Sequence, residues 1–183
     1  MSRILTVSGS PKEVSRSTIL LDHVARLLAA QGHTIDQLSL RELSAEALLL
    51  ADFEHPDVTA SMGRLAQADA VVIATPVYKA AYSGLLKTWL DLAPQFGLEG
   101  KVALPLATGG SAAHALALDY ALRPVLTSMN ARHVVNGFLV LDRYIDAPTA
   151  TGPAAIHDDA APGLGQVVDA FLEALHVVRV SAA

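Results

Sequence analysis

Val71-Val72-Ile73-Ala74-Thr75-Pro76-Val77-Tyr78, continued by Lys79-Ala80-Ala81-Tyr82-Ser83-Gly84-Leu85-Leu86-Lys87, is the stretch that decides the fold. An unbroken apolar run ends in a Thr-Pro-x-Tyr corner, and the corner feeds a helix that opens on Ser and Gly. Strands of a parallel sheet read this way because helices cover both of its faces. In open α/β sheets, ligands sit in the crevice beyond the carboxyl ends of the strands. The corner is therefore where a site is expected. Pro76 fixes its own φ and gives no N–H, which stiffens the turn where a flat ligand can lie. Tyr78 adds an aromatic face and a hydroxyl at the same edge.

Outward from this run, strand-like and helix-like patterns alternate, as in a parallel sheet. The sequence predicts strands at Ile4–Ser8, Thr34–Leu40, Ala70–Thr75, Lys101–Thr108 and Arg132–Val140, the fourth less regular because it contains Pro105. Helices are predicted at Ser17–Gln31, Ser61–Ala68, Ser83–Leu92, Ala112–Met129 and Leu164–His176. Residues 42–58 read as a connection, and 142–163, rich in Pro, Gly, Ala and Asp, as a long loop or flap. Five parallel strands suit the flavodoxin-like order 2-1-3-4-5, an α/β sheet with helices on both faces and its switch point between strands 1 and 3.

At 183 residues the chain suits a single domain over 1–183. Thirteen Lys and Arg against 18 Asp and Glu, net −5, argue against a nucleic-acid surface, which requires a basic face. No apolar run reaches membrane-spanning length, and no signal-like segment precedes the first strand. Cytoplasm is the default location. Cysteine is absent, so disulfides, thiolate nucleophiles and Cys-ligated metals are all excluded. Redox chemistry would have to come from a bound cofactor.

Three loops follow strand carboxyl ends. Ser8-Gly9-Ser10-Pro11-Lys12-Glu13-Val14-Ser15-Arg16-Ser17-Thr18 supplies hydroxyls, cations and a helix N-terminus, the makings of a phosphate site. It matches neither G-x-x-x-x-G-K-[ST] nor G-x-G-x-x-G, which disfavours a nucleoside triphosphate or a Rossmann-bound dinucleotide. The Thr75–Gly84 corner is the second loop. Ala107-Thr108-Gly109-Gly110-Ser111-Ala112-Ala113-His114 is the third, with paired glycines that let backbone amides approach a ligand. Each loop alone also reads as an ordinary turn. Together they fit a mononucleotide with a flat ring system, its phosphate at the first loop and its ring between the other two. His23, His33, His55, His133, His157 and His176 lack metal-ligand spacing, so no metal site is expected.

Gly9-Ser10-Pro11, Ser15-Arg16-Ser17, Ala74 through Gly84 and Pro105-Leu106-Ala107-Thr108-Gly109-Gly110 resemble the NAD(P)H-dependent FMN reductases, nearest to the sulfonate-utilisation type that supplies reduced flavin to a monooxygenase. The resemblance runs from Met1 to about Gly137. It implies a flavodoxin-like fold with FMN in the crevice and NADPH as hydride donor. It places phosphate-loop roles on Ser8, Ser10, Ser15, Ser17 and Thr18, and ring-edge roles on Pro76, Val77, Tyr78, Thr108, Gly109 and Gly110. Ser83, in the same corner, completes the cofactor-binding set. Lys12 stands where these enzymes often carry Arg, so a bidentate phosphate contact becomes a point charge.

No side chain is expected to act as acid or base, because flavin and nicotinamide carry the hydride themselves; His114 reads as a helix-start residue behind the glycines. Asp119-Tyr120-Ala121-Leu122 also resembles that type, and implies a π-bulge at Tyr120 lying at a tetramer interface near a neighbour's flavin. Pro124 gives the bulge a local cause, since it withholds its N–H from the Tyr120 carbonyl, which is left for Val125. A simple proline kink is the other reading of the same residues. Two other functional readings stay open at this level: a quinone or azo-dye reductase that retains its FMN, and a flavodoxin-like electron carrier.

Overall fold

In the computed structural model, which describes residues 1–150 and 152–181, the chain alternates as its patterning predicts. Residue 151, within the predicted flap, and residues 182–183, at the end of the predicted domain, lie outside the described residues. The elements are β1 (Arg3–Ser8), α1 (Arg16–Ala30), β2 (Thr34–Ser39), α2 (Ala45–Leu49), α3 (Pro56–Gln67), β3 (Ala70–Tyr78), β4 (Ala81–Tyr82) and α4 (Gly84–Asp91). They continue with β5 (Val102–Gly109), α5 (Arg123–Ser128), β6 (His133–Val134), β7 (Phe138–Leu141), β8 (Ile145–Asp146), β9 (Ala155–Ile156) and α6 (Ala161–Ser181).

β2, β1, β3 and β5 pair in parallel in that order, and β6 and β7 share the fifth position beside β5. This is the predicted 2-1-3-4-5 order with its last strand broken. Successive residues of β3 face opposite layers. Val71 and Ile73 join Val58, Leu65, Leu86, Trp89 and Leu126 under α3, α4 and α5. Ala70, Val72 and Ala74 join Leu20, Val24, Leu28, Leu164 and Phe171 under α1 and α6. Both faces are covered, which is why β3 carries no polar alternation. Trp89 keeps its one donor satisfied in the core by giving Nε1–H to Ser61 Oγ at 3.0 Å.

Several predicted boundaries shift, each for a local reason. α3 begins at Pro56, five residues before the predicted Ser61, because Pro is favoured in a first helical turn and His55 Nδ1 caps it by accepting from Asp57 N at 3.2 Å. The connection at 42–58 also contains α2, capped by Ser44 Oγ, which accepts from Ala47 N. β3 runs past Thr75 to Tyr78, since β1 pairs with it only as far as Ala74 and Pro76 then lies on a free edge.

The fifth strand splits where Pro105 interrupts β5. Pairing holds at Ala103 with Val134 and resumes at Leu106 with Phe138. The carbonyls released between them go to Arg123, whose Nη1 and Nη2 donate to Val134 O at 2.6 Å and Val135 O at 3.0 Å. Gly137 is required in the break, because a Cβ there would come within 3.0 Å of Leu118 and of the Pro105 carbonyl.

The predicted helix Ala112–Met129 is three pieces: a 3₁₀ turn at Ala112–Ala115, a π turn at Leu118–Leu122, and α5. Tyr120 sits at the centre of the π turn, and the five-residue bond is donated by Arg123 N–H to the Leu118 carbonyl. That bond lies two residues before the Val125-to-Tyr120 pairing predicted from Pro124. The wider turn resets the helical register so that Pro124 falls in the first turn of α5, where a missing N–H costs nothing.

Candidate active site

The first loop ends at an uncapped helix. Ser15 is the N-cap of α1, yet its hydroxyl makes no capping bond; its Oγ pairs with Ser17 Oγ at 2.9 Å. The first N–H groups of a helix have no partner within it, and a helix dipole favours negative charge there. With no acidic residue in the first turn, these donors are left for an anion. Ser10, fully buried, holds the preceding turn by accepting from Lys12 N at 3.1 Å.

The second loop is a tight hairpin. Val77 pairs with Tyr82 and Tyr78 with Ala81, leaving Lys79 and Ala80 as the two-residue turn. Both have positive φ, 50° and 62°. That is the geometry of a type I′ turn, which ordinarily takes Asn and Gly. The hairpin therefore carries backbone strain directly beside Tyr78. Burial pushes the Tyr82 hydroxyl above its usual pKa, with opposing smaller effects from Lys87 and Asp91, so it stays protonated.

Ser83 joins the first two loops. Its Oγ donates to Gly9 O at 2.5 Å and accepts from Leu86 N at 3.1 Å, while its N–H goes to Thr75 Oγ1. Gly9 itself approaches Leu86 so closely that a Cβ would lie 3.1 Å away.

The third loop is shaped by His114. A side chain on Gly109 would begin 2.5 Å from His114 Nδ1, so this glycine makes room for the imidazole rather than for a ligand. That Nδ1 is buried and makes no hydrogen bond. Gly110 has open space, its nearest neighbour being Asp142 Oδ2 at 4.0 Å from the Cβ position.

These loops enclose a cleft of about 230 Å³ over the carboxyl ends of β1, β3 and β5. Of the predicted residues, Lys12, Ser15, Pro76, Val77, Tyr78, Thr108, Gly109 and Gly110 line it. Five do not. Ser8 and Thr18 pair with each other at 2.8 Å and face a separate cleft beside β2. Ser10, Ser17 and Ser83 are buried and committed to the loop bonds above. These placements have one cause: short hydroxyl side chains after a strand serve their own backbone as readily as a ligand.

The model for the NADPH-dependent FMN reductases matches residues 2–146, from β1 to the start of the β8–β9 hairpin. The chain belongs to the NADPH-dependent FMN reductase family. Relatives of the same description include an FMN reductase (NADPH) of Escherichia coli K12, 46% identical over 143 residues, covering 78% of this chain and 75% of that one. Another, from Pseudomonas putida KT2440, is 40% identical over 173 residues, covering 94% and 82%. Among solved structures, the apo form of an NADH:FMN oxidoreductase superposes with a TM-score of 0.82 at 41% identity, covering 93% of this chain and 88% of that one.

Four further residues of this FMN reductase family member line the cleft: Val14, Arg16, Asp142 and Ala147. Arg16 lies in the first loop and was legible as one of its cations. Asp142 directly follows β7, so the rule that sites gather at strand carboxyl ends also marks it. The flap that carries Asp142 and Ala147 is pinned by Arg16 Nε, which donates to Ile145 O at 3.2 Å. Among the described residues, no helix is long and apolar enough to cross a membrane, and no three His, Asp or Glu side chains gather as a metal site.

Proposed function

We propose that the chain, acting as one domain over 1–183, reduces FMN with NADPH in this cleft and releases the reduced flavin to a flavin-dependent monooxygenase. One observation carries the reading: the uncapped N-terminus of α1, with Lys12, Ser15 and Arg16, opens into the same cleft as Pro76–Tyr78 and Thr108–Gly110. The α1 amides, Ser15 and the two cations suit the phosphate; Ser10 and Ser17 support that turn from below. Pro76, Val77, Tyr78, Thr108 and Gly110 suit a flat ring. When bound, flavin and nicotinamide supply the hydride chemistry themselves. The protein's part is to orient the two rings and keep water from between them. No proton needs to move through a side chain.

Membership of the family supports NADPH as donor and the cytoplasm as location. Tyr120, 79% exposed in the single chain, and Leu116, also exposed, support a homo-tetramer in which the π turn packs against a neighbouring copy. The direct test is NADPH oxidation by purified protein with and without added FMN. Strong stimulation by free FMN is the expected result. Tightly retained flavin with turnover of quinones instead would overturn the release of reduced flavin, and a monomer by light scattering would remove the tetramer.

A further inference from the structure

The cleft is electrically lopsided. Lys12 stands on the first loop and Asp142 beside Gly110, while Arg16 is held to the Asp142 flap by Ile145 O. The Asp142 carboxylate, half-buried, makes no hydrogen bond or ion pair with any described residue. Its neighbours are engaged elsewhere. Arg143 stacks over the Tyr144 ring at 4.8 Å, and His157 pairs with Asp146 at 2.9 Å. Nor is Asp142 loosely held. Leu141 before it is registered against Gly109 on β5, and Ile145 after it is buried and bonded to Arg16.

We propose that the Asp142 carboxylate makes this cleft hold oxidised FMN more tightly than reduced FMN, and so drives release of the reduced flavin. The inference rests on the reading above, with the flavin ring at the Gly110 end. Hydride transfer takes two electrons and one hydrogen from NADPH, which leaves as NADP⁺, and the neutral ring gains one negative charge. An unpaired carboxylate beside the ring repels that new charge, less screened there than in bulk water. Lys12, Arg16 and the α1 amides are matched to the phosphate, whose charge is the same in both redox states. Only the Asp142 end therefore distinguishes product from substrate.

The experiment is a pair of binding titrations of Asp142→Asn, one with oxidised FMN in air and one with reduced FMN under anaerobic conditions. A charge at this range shifts such an equilibrium by about tenfold. The ratio of reduced to oxidised dissociation constants should fall by about that factor, raising the two-electron midpoint potential of the bound flavin by about 30 mV. Asp142→Glu should keep the wild-type ratio, and Asp142→Ser stands in for Asn should that variant not fold. An unchanged ratio in a folded, uncharged variant that binds oxidised FMN normally would overturn the inference. The site reading is tested separately by Gly110→Val, which places bulk in the cleft where a Cβ has room. Should that variant bind oxidised FMN as wild type does, the placement of the ring fails, and the inference with it.

Discussion

The two ends of the cleft are built from different materials. At the α1 end, the groups on offer are backbone amides left uncapped and cations on a short loop, all carried by residues 10–18, with Arg16 also tied to Ile145. At the β5 end, the wall is a pair of glycines whose shape depends on distant residues. His114 fills the space under Gly109, and Asp142, arriving from β7, flanks Gly110. The first end draws its lining groups from one segment. The second is assembled from three segments, one of them tied back to the first through Arg16 and Ile145.

The largest effect expected from testing this division lies at the α1 end. Ser15→Ala removes a hydroxyl that lines the cleft and Ser17→Ala its 2.9 Å partner. A hydrogen bond to a charged group is worth about 1.5–3 kcal/mol, so FMN should bind roughly tenfold to a hundredfold more weakly. Riboflavin, without a phosphate, should be affected far less. Fluorescence titration of both ligands checks this, and equal losses would erase the distinction between the ends.

At the β5 end, Gly109→Ala should destabilise the fold by about 1–3 kcal/mol through overpacking against His114. His114→Ala in the same background should restore most of that loss in thermal denaturation. Simple additivity of the two changes would show that the imidazole is not what excludes a side chain at Gly109. His114→Ala alone should lower kcat by far less than the roughly 10²–10⁴ that removal of an acid–base catalyst costs.

The smallest effect belongs to the hairpin between the ends. Replacing Lys79 by Asn and Ala80 by Gly relieves two positive φ angles and should stabilise the protein by about 1 kcal/mol. If FMN affinity also changes, the strain is coupled to the ring end; if only the melting temperature rises, the hairpin is merely tolerated.

How much of this was legible in the sequence follows the same division. The β3 run and the five-strand order were readable because burial on both faces leaves an unbroken apolar stretch, as at Val71–Ala74. Lys12, Ser15 and the Gly-Gly pair line the cleft because they sit at strand ends. What the sequence could not reveal depends on contacts across it. Ser8 and Thr18 look like phosphate ligands until their mutual bond is seen. The break at 135–137 needs both Pro105 and the guanidinium of Arg123. Asp142 was passed over because the predicted fifth strand ends at Val140 and the residues after it have no pattern of their own; its place at the end of β7 and beside Gly110 is seen only in the fold.

The broken last strand has a consequence beyond the site. A long, straight outer strand displays unpaired N–H and C=O groups that can recruit another chain and seed aggregation. Here the β6–β7 margin offers two strands of two and four residues, kinked at Gly137, with carbonyls at the kink already taken by Arg123. The opposite margin, β2, carries Asp36 clamped between Arg64 and Arg3, whose hydrogen bonds hold its carboxyl below the usual range despite partial burial. One border of the sheet is interrupted and the other is charged, and neither offers a template on which a further strand can grow.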